Sequence, residues 1–185
     1  LKNFASIREP YGENCYFTDE MRYGNRTHCK KRWTVQGDRP VCPVKLGYDW
    51  GYLYVALCPF SGDVFAMFFT HLDKACFHEF LKAFSAHLHN KGVSGSTLLV
   101  GDGATAHTSQ NWDEHPEVDW QRQPTACPER NPVERFFEEL RRHTGKLFQT
   151  REEIEGKITR LVQEYIRMPK KVTSLTLYPY IKHSV

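Results

Sequence analysis

One apolar run of the chain reads Ser96-Thr97-Leu98-Leu99-Val100-Gly101-Asp102 and ends in an acidic residue. A short run of this kind is typical of a central strand that is buried on both faces. A second run, Cys15-Tyr16-Phe17-Thr18-Asp19, follows the same plan. If the two strands lie side by side, their carboxyl ends bring Asp19 and Asp102 to the same edge of a sheet.

The rest of the chain supplies further strands and helices around these two runs. A hairpin is predicted from residues 50–57 and 64–70, because two β-branched and aromatic runs flank the turn Ser61-Gly62-Asp63. A brief strand is predicted at 118–121, and apolar stripes at helical spacing predict further segments. The predicted helices are 73–92, a short helix or loop at 109–115, 132–147 and 152–168. This order predicts an α/β fold in one domain over residues 1–185, with a mixed five-stranded sheet flanked by helices. No element is predicted for the tail, residues 170–185.

Residues 20–43 are predicted to form an irregular, basic loop excursion, punctuated by glycine and proline. No acidic residue occurs among residues 21–32, whereas basic residues are frequent there. They are Arg22, Arg26, Lys30, Lys31 and Arg32. Such a cluster is used for contacts with nucleic-acid phosphates, but a solvated loop is an equally good interpretation of the cluster alone.

A third acid, Glu134, follows Asn131-Pro132-Val133 at the start of a strongly amphipathic helix. Asn131 is a good N-cap and Pro132 suits the first helical position, so Glu134 is also placed for a capping box. Asp102 is likewise suited to an Asp-Gly turn. Two carboxylates at strand ends and one on a helix are, however, the ligands that a pair of Mg²⁺ or Mn²⁺ ions needs for phosphoryl transfer.

Composition restricts the class of protein. With 40% hydrophobic and 25% charged residues among 185, the chain is an ordinary globular sequence, and its formal net charge is only +3. No apolar stretch is long enough to span a membrane, and no signal peptide is predicted. The six cysteines form no CxxC pair, so we expect free thiols in a reducing compartment rather than disulfides or a zinc finger.

Several motifs together resemble one known family. The matching segments are Phe17-Thr18-Asp19-Glu20, Arg32-Trp33 with Gly37 and Pro40, Val100-Gly101-Asp102-Gly103-Ala104 with His107, and residues 128–140. The last segment is the most specific, because Pro128-Glu129-Arg130-Asn131-Pro132-Val133-Glu134 is similar to the family's Pro-Glu-Leu-Asn-Pro-Ile-Glu. The chain thereby resembles the catalytic domain of the DDE transposases of the Tc/mariner superfamily, specifically their bacterial insertion-sequence members. It departs from them at Gly103, where the family often has Asn.

The resemblance implies an RNase H-like fold and an enzyme that cleaves DNA at transposon ends and transfers the cut strands. It implies that Asp19, Asp102 and Glu134 are both the catalytic residues and the ligands of two Mg²⁺ or Mn²⁺ ions. Double-stranded DNA at transposon ends and target would be the partner of a homodimer or larger assembly, with no membrane and no small-molecule substrate. The implied DNA-binding residues are Arg22, Arg26, Lys30, Lys31, Arg32, His107 and Arg135.

The helix-turn-helix region that such proteins carry at the N-terminal side is not among these residues. We expect a nucleoid-associated cytoplasmic protein if the source is a bacterial insertion sequence, and a nuclear protein if it is eukaryotic. Two alternatives stay open at this stage. One is an RNase H-like nuclease that cuts without joining, and the other is a domesticated, inactive module that only binds DNA or a partner.

Overall fold

The computed structural model describes residues 4–24, 35–38, 47–125, 127–144 and 148–182. The strands are β1 (Cys15–Gly24), β2 (Trp50–Leu57), β3 (Val64–Phe69), β4 (Thr97–Gly101) and β5 (Val118–Arg122). The helices are α1 (Phe4–Arg8), α2 (Lys74–Asn90), α3 (Thr105–Thr108), α4 (Pro132–Thr144), α5 (Arg151–Arg167), α6 (Pro169–Thr176) and α7 (Pro179–Lys182). Short 3-10 turns lie at Glu9–Tyr11, Trp112–Glu114 and Pro128–Arg130.

The five strands form one mixed sheet in the order β3-β2-β1-β4-β5. β1 pairs antiparallel with β2, and β2 antiparallel with β3, as the predicted hairpin requires. On its other side β1 pairs parallel with β4, and β4 pairs parallel with β5. The predicted five-stranded mixed sheet is therefore confirmed, with the two runs that end in aspartate side by side at its centre.

β1 is longer than the sequence pattern predicted. It continues past Thr18 to Gly24, so residues 20–24 belong to the sheet and not to the predicted loop excursion. Met21 and Tyr23 are buried on one face of this extension, whereas Arg22 between them is exposed. Such alternation with a period of two is a strand pattern that can be mistaken for a polar loop when charged residues occupy the other face.

One face of the sheet packs against α4 and α5. The inward side of α4 is fully buried at Val133, Phe136, Phe137 and Leu140, as its apolar spacing predicted. Residues 145–147, at the predicted end of this helix, lie outside the described part of the chain. The predicted stripe of α5 is also buried, and it comprises Ile154, Ile158, Leu161, Val162 and Tyr165. This side of the sheet is called the α4 face below.

The opposite face of the sheet packs against α2 and is called the α2 face below. The predicted N-cap of α2 is confirmed, because the Asp73 side chain accepts a hydrogen bond from the Cys76 amide at 2.8 Å. The buried stripe of α2 consists of Phe77, Phe80, Leu81, Phe84 and Leu88, as predicted. Tyr16, Tyr54 and Leu99 of the sheet meet this stripe.

Three segments differ from the predictions. The tail, residues 170–185, contains most of α6 together with α7, and Val172 and Ile181 are buried in the core of the α4 face. The short helix expected at 109–115 is instead the helix α3, which begins earlier, followed by a 3-10 turn. α1 was not predicted at all, although Phe4 packs against Phe17 with ring centroids 5.8 Å apart.

Within the described residues, no helix has the length and apolar character needed to cross a membrane. The cysteines described there, Cys15, Cys58, Cys76 and Cys127, are free thiols.

Candidate active site between β1 and β4

Asp19 and Asp102 lie where the sheet divides. The parallel ladder between β1 and β4 runs from Cys15 opposite Leu98 to Phe17 opposite Val100, and each aspartate follows two positions later. Beyond this ladder β1 stays paired with β2, so Asp19 lies within β1 opposite Val55 rather than at a strand end. The prediction of a common edge therefore holds for the β1–β4 pair, and the two carboxylates flank the gap that opens as β4 ends.

Asn131 attaches the start of α4 to this gap. Its side chain is fully buried, and its Nδ2 donates to the Thr18 carbonyl oxygen at 3.0 Å and to Asp19 Oδ2 at 3.3 Å. Its Oδ1 accepts from the Val133 amide at 3.1 Å, which confirms the predicted N-cap. The sequence pattern indicated the cap but not the contact with β1. Because of that contact, the first turn of α4 is held against the strand that carries Asp19.

Glu134 lies in this first turn, and the capping-box alternative is not realised. The backbone amide of Asn131 donates instead to the Pro128 carbonyl oxygen at 2.9 Å. The Glu134 side chain is about 35% exposed, and its Oε2 lies 3.5 Å from an Arg141 guanidinium nitrogen. It lines an open cleft of about 700 Å³ together with Arg135, Glu138 and other residues. The Glu134 carboxylate is therefore available at the surface and does not cap the start of α4.

The pKa of Asp19 is affected by its burial and by the other acids. Burial, followed by the negative charges of Glu20, Glu134 and Asp102, raises the pKa of Asp19 to about 7. The Glu20 amide, which donates to Asp19 Oδ1 at 2.9 Å, opposes this shift only in part. A carboxyl group whose pKa is raised by other carboxylates is characteristic of functional sites, where a cation can relieve the repulsion.

Asp102 is bonded to His107, the third residue of α3. Nδ1 of this fully buried imidazole lies 2.8 Å from Asp102 Oδ1, and its Nε2 lies 2.9 Å from Glu20 Oε1. The Ala104 amide also donates to Asp102 Oδ1 at 2.9 Å, a local hydrogen bond that aspartate side chains often accept in loops. The hydrogen bond from His107 lowers the pKa of Asp102 despite its partial burial. Burial opposes the charged form of His107, but its bonds to Asp102 and Glu20 raise its pKa to about 10.

The implied contact between His107 and DNA is not supported by this arrangement. Its ring is enclosed by Phe77 and Trp120, with centroids 4.3 and 5.5 Å away. Both ring nitrogens are occupied by carboxylates of the protein, so a phosphate would have to displace one of them. The structure favours an internal role for this histidine.

The three acids suit a divalent cation by their chemistry, since each supplies hard carboxylate oxygens from a different element. Among the described residues, no three His, Cys, Asp or Glu side chains are gathered closely enough to form a ready-made metal site. Asp19 is bound by amides, Asp102 by His107, and Glu134 lies near Arg141. The donor set therefore fits a metal ion only if these side chains exchange protein partners for it.

The other implied DNA-binding residues are distributed unevenly. Arg22 is exposed on β1, with its guanidinium 5.3 Å from the centre of the Trp50 ring. Arg135 lines the cleft beside Glu134, and its Nε donates to Tyr178 Oη at 3.0 Å. The remaining members of the basic cluster lie outside the described residues. They are Arg26, Lys30, Lys31 and Arg32.

Arg122, at the end of β5, lies at the site although the sequence did not single it out. A Cβ atom added to Gly103 would overlap the Arg122 guanidinium, so this arginine occupies the space that a side chain at position 103 would fill. Its positive charge helps to lower the pKa of Asp102. Arg122 also lines a cavity of about 340 Å³ together with Phe17, Val100 and other residues. The available signal was Gly103 itself, where the family often has a larger residue.

Comparison with known families places this geometry. The model of the DDE superfamily endonucleases matches residues 14–155, which include Asp19, Asp102 and Glu134. A comparison with curated proteins gave no match.

Among solved structures, the Mos1 transposase paired-end complex with the left transposon end has a TM-score of 0.69 at 13% identity. That match covers 97% of this chain and 58% of the other. The Mos1 mariner paired-end complex with Mn gives a TM-score of 0.68 at 14% identity, covering 99% and 61%. The catalytic domain of Mos1 mariner transposase gives 0.63 at 12% identity, covering 99% and 91%.

This chain thus spans about three fifths of the transposase chains in the paired-end complexes and nearly all of the isolated catalytic domain. The predicted RNase H-like fold is confirmed by the structural matches, and the predicted DDE family is confirmed by the family model. The Tc/mariner type and its bacterial insertion-sequence branch stay predictions. The chain belongs to the DDE superfamily endonucleases, and its fold is that of the mariner transposase catalytic domain.

Proposed function

We propose that this chain is the catalytic part of a DNA transposase, which cleaves DNA at transposon ends and joins the cut strand to a target. The observation that carries the proposal is the electrostatic coupling of three acids from three separate elements. Asp19 comes from β1, Asp102 follows β4, and Glu134 opens α4, and the pKa of Asp19 responds to the other two. The family match covers all three residues.

We propose Asp19, Asp102 and Glu134 as the ligands of two Mg²⁺ or Mn²⁺ ions. When bound, such a pair stabilises the attacking and the leaving oxygen of an in-line displacement at phosphorus. The mutual repulsion that raises the pKa of Asp19 supports this role, because cation binding would relieve it. The solved Mos1 paired-end complexes include one with Mn and one with Mg.

The residues around the acids would position the DNA. Asn131 keeps the first turn of α4 against β1, so Glu134 and Asp19 hold their relative positions. The open cleft beside Glu134 offers room for a DNA strand, with Arg135 on its wall. Phosphate contacts by Arg135, Arg22, Arg122 and the basic residues 26–32 would hold the strand without reading its sequence.

The expected partner is double-stranded DNA, first the transposon ends and then the target, bound by a homodimer or a larger assembly. Matched structures of Mos1 are paired-end and strand-transfer complexes, which supports this proposal by analogy of fold. The location proposed from the sequence, cytoplasmic with the nucleoid or nuclear, follows from the same partner.

Two DNA substrates and three metals test the proposal. This chain, with whatever sequence precedes it in its gene, is incubated with a labelled duplex carrying the terminal repeats that border that gene, and with a supercoiled plasmid as target. We expect cleavage and joined products in Mg²⁺ or Mn²⁺ but not in Ca²⁺, and neither product with Asp102→Asn. Cleavage without joining would indicate the simple nuclease, and binding without cleavage would indicate the inactive module.

A further inference from the structure

Glu20 is linked to both aspartates of the candidate site, although its own carboxylate lies on the other face of the sheet. Its backbone amide donates to Asp19 Oδ1 at 2.9 Å. Its side-chain Oε1 lies 2.9 Å from Nε2 of His107, and Nδ1 of the same ring lies 2.8 Å from Asp102 Oδ1. One residue of β1 is thus bonded directly to the first acid and, through a histidine, to the second.

The Asp102 carboxylate is hydrogen-bonded within the protein through one of its two oxygens. Both internal hydrogen bonds to the Asp102 carboxylate, from His107 and from the Ala104 amide, end on Oδ1. The Asp102 side chain is half exposed, so its carboxylate stays accessible to a cation. The Glu20 side chain is only 6% exposed and the His107 side chain 0%. The hydrogen bonds that link Glu20 to Asp102 through His107 are therefore shielded from solvent.

Packing restricts the position of the His107 ring, which links Glu20 to Asp102. The His107 ring lies between Phe77 of α2 and Trp120 of β5, at centroid distances of 4.3 and 5.5 Å. Glu20 is fixed in the pairing of β1 with β2, opposite Tyr54. The His107 ring cannot rotate without breaking these contacts. Residues that bond to a metal-binding carboxylate fix its orientation in this way.

We propose that Glu20 and His107 are positioning residues that orient the Asp102 carboxylate for cation binding. This inference rests on the proposed function, because it assigns Asp102 to a metal site. Glu20 is therefore not itself a ligand of the cation. It supports the site from the α2 face, while Asp19 and Glu134 act on the α4 face.

The chain contains a matched control for a purely structural histidine–carboxylate pair. Asp63 Oδ2 lies 2.6 Å from His87 Nε2 on the same α2 face, with Asp63 only 10% exposed, and this pair does not touch the candidate acids. Asp63→Asn should lower stability and leave cation binding unchanged. Any loss of binding that merely follows lower stability would appear in this variant too.

The measurement is Mn²⁺ affinity of the metal-free chain by titration calorimetry, together with thermal unfolding with and without Mn²⁺. We expect Glu20→Ala to weaken Mn²⁺ binding by roughly 10–100-fold, the usual effect of removing such a supporting residue. Glu20→Gln keeps a group that can bond to His107 and should bind Mn²⁺ within a few-fold of the wild type. This rescue by the conservative variant distinguishes positioning from a direct charge effect.

A second variant keeps the test decisive if Glu20→Ala does not fold. The double change Glu20→Met with His107→Phe replaces both polar partners by apolar groups of similar size, an exchange that can be nearly neutral for stability. It should also weaken Mn²⁺ binding by roughly 10–100-fold. Wild-type Mn²⁺ affinity in this double variant, or in folded Glu20→Ala, would overturn the inference.

The wild type and Asp102→Asn separate the two proposals. If the wild type binds Mn²⁺ and Asp102→Asn does not, the metal site stands, and the Glu20 variants decide the inference alone. If the wild type neither binds Mn²⁺ nor cleaves DNA, the proposed function fails and the inference fails with it.

Discussion

Two histidine–carboxylate clusters lie on the α2 face, and their charges are balanced differently. Near the end of α2, the Asp63 carboxylate accepts from Tyr16 at 3.0 Å and is paired with His87 at 2.6 Å and Lys91 at 2.7 Å. Near the start of α2, His107 alone lies between Glu20 and Asp102, and Asp19 adjoins them.

The difference appears in the acid strengths of the two clusters. Burial opposes ionisation of Asp63, but hydrogen bonds from His87 and Lys91 lower its pKa to about 2. Burial and the charges of neighbouring acids instead raise the pKa of Asp19 to about 7. One cluster satisfies its charge within the protein and joins the β2–β3 turn to α2. The other keeps an excess of negative charge, which is what a cation-binding site requires.

The largest effect should come from Glu134→Gln, which keeps the shape of the side chain but removes a charge from the acidic cluster. Loss of a cation ligand forfeits several kcal/mol of transition-state stabilisation, so strand cleavage should fall by roughly a thousandfold. Stability should change by no more than about 0.5 kcal/mol, since Glu134 is partly exposed and caps nothing. Cleavage of labelled duplex and urea unfolding measure the two quantities.

Glu138→Gln is the matched control, because Glu138 lines the same cleft one turn further along α4. It should keep substantial activity. If Glu134→Gln cuts DNA as well as the wild type does, the assignment of the three acids is wrong.

The next effect concerns the cluster of Asp63 with His87 and Lys91. Asp63→Asn should lower the free energy of unfolding by about 2–3 kcal/mol, because a buried carboxylate with charged hydrogen-bond partners is lost. Glu79→Gln, which removes an exposed pair with Lys82, should cost almost nothing. Urea unfolding near pH 7 checks both variants, and equal losses would show that the Asp63 cluster is an ordinary surface arrangement.

The stability difference between the wild type and Asp63→Asn should depend on pH. The folded-state pKa of Asp63, about 2, lies below the ordinary value of 3.8, so its contribution to stability is complete above about pH 4. As the pH falls from about 4 towards 2, the carboxyl group is protonated in the folded protein too. The wild type and Asp63→Asn should therefore converge in stability over this interval.

A smaller effect of opposite sign is expected at the acidic cluster. Without metal at pH 8, Asp19→Asn should raise the free energy of unfolding by about 1–2 kcal/mol, because it removes a buried charge that Glu20, Glu134 and Asp102 also repel. The gain is reduced because an amide at this position accepts less well from Asn131. With Mn²⁺ present, the wild type should recover this difference and the variant should not.

The pH dependence of this variant has the reverse sign. A raised carboxyl pKa penalises the folded state as pH rises from about 4 to about 7, and the penalty is absent below about pH 4. The advantage of Asp19→Asn should therefore disappear in acid. A variant less stable than the wild type at pH 8 would show that the acidic cluster is not under electrostatic strain.

These clusters also show how far sequence reasoning reaches. The stripes of α2, α4 and α5 could be predicted because burial of a helix face leaves a regular spacing in the sequence. The extension of β1 was missed because Glu20 and Arg22 occupy alternate positions and make the segment look like a loop. The tail was missed because α6 and α7 are short and depend on packing of a few residues into an existing core.

For the site, the sequence was enough to propose the three acids but not the residues that support them. Asp19, Asp102 and Glu134 follow from strand ends, a helix start and a family motif. The contact of Asn131 with Asp19 and the bridge through His107 join residues about 90 to 110 positions apart, and no local pattern encodes such distances. The support that Glu20 gives to Asp102 is therefore visible only in the structure.

The smallest effect is expected at Gly103, and its neighbour across Asp102 provides the contrast. The three atoms closest to a Cβ atom at Gly103 all belong to the guanidinium of Arg122, the far end of a flexible and exposed side chain. Gly103→Ala should therefore change the free energy of unfolding by no more than about 0.5 kcal/mol, with Arg122 moving aside.

A Cβ atom at Gly101 would instead overlap the Trp120 ring and approach the Thr18 methyl group at 2.9 Å within the sheet. Gly101→Ala should cost about 1–3 kcal/mol, the usual effect of overpacking. Urea unfolding of both variants decides the point: if Gly103→Ala costs as much as Gly101→Ala, Arg122 is fixed against the Asp102 loop and belongs to its rigid support rather than to a movable phosphate-binding arm.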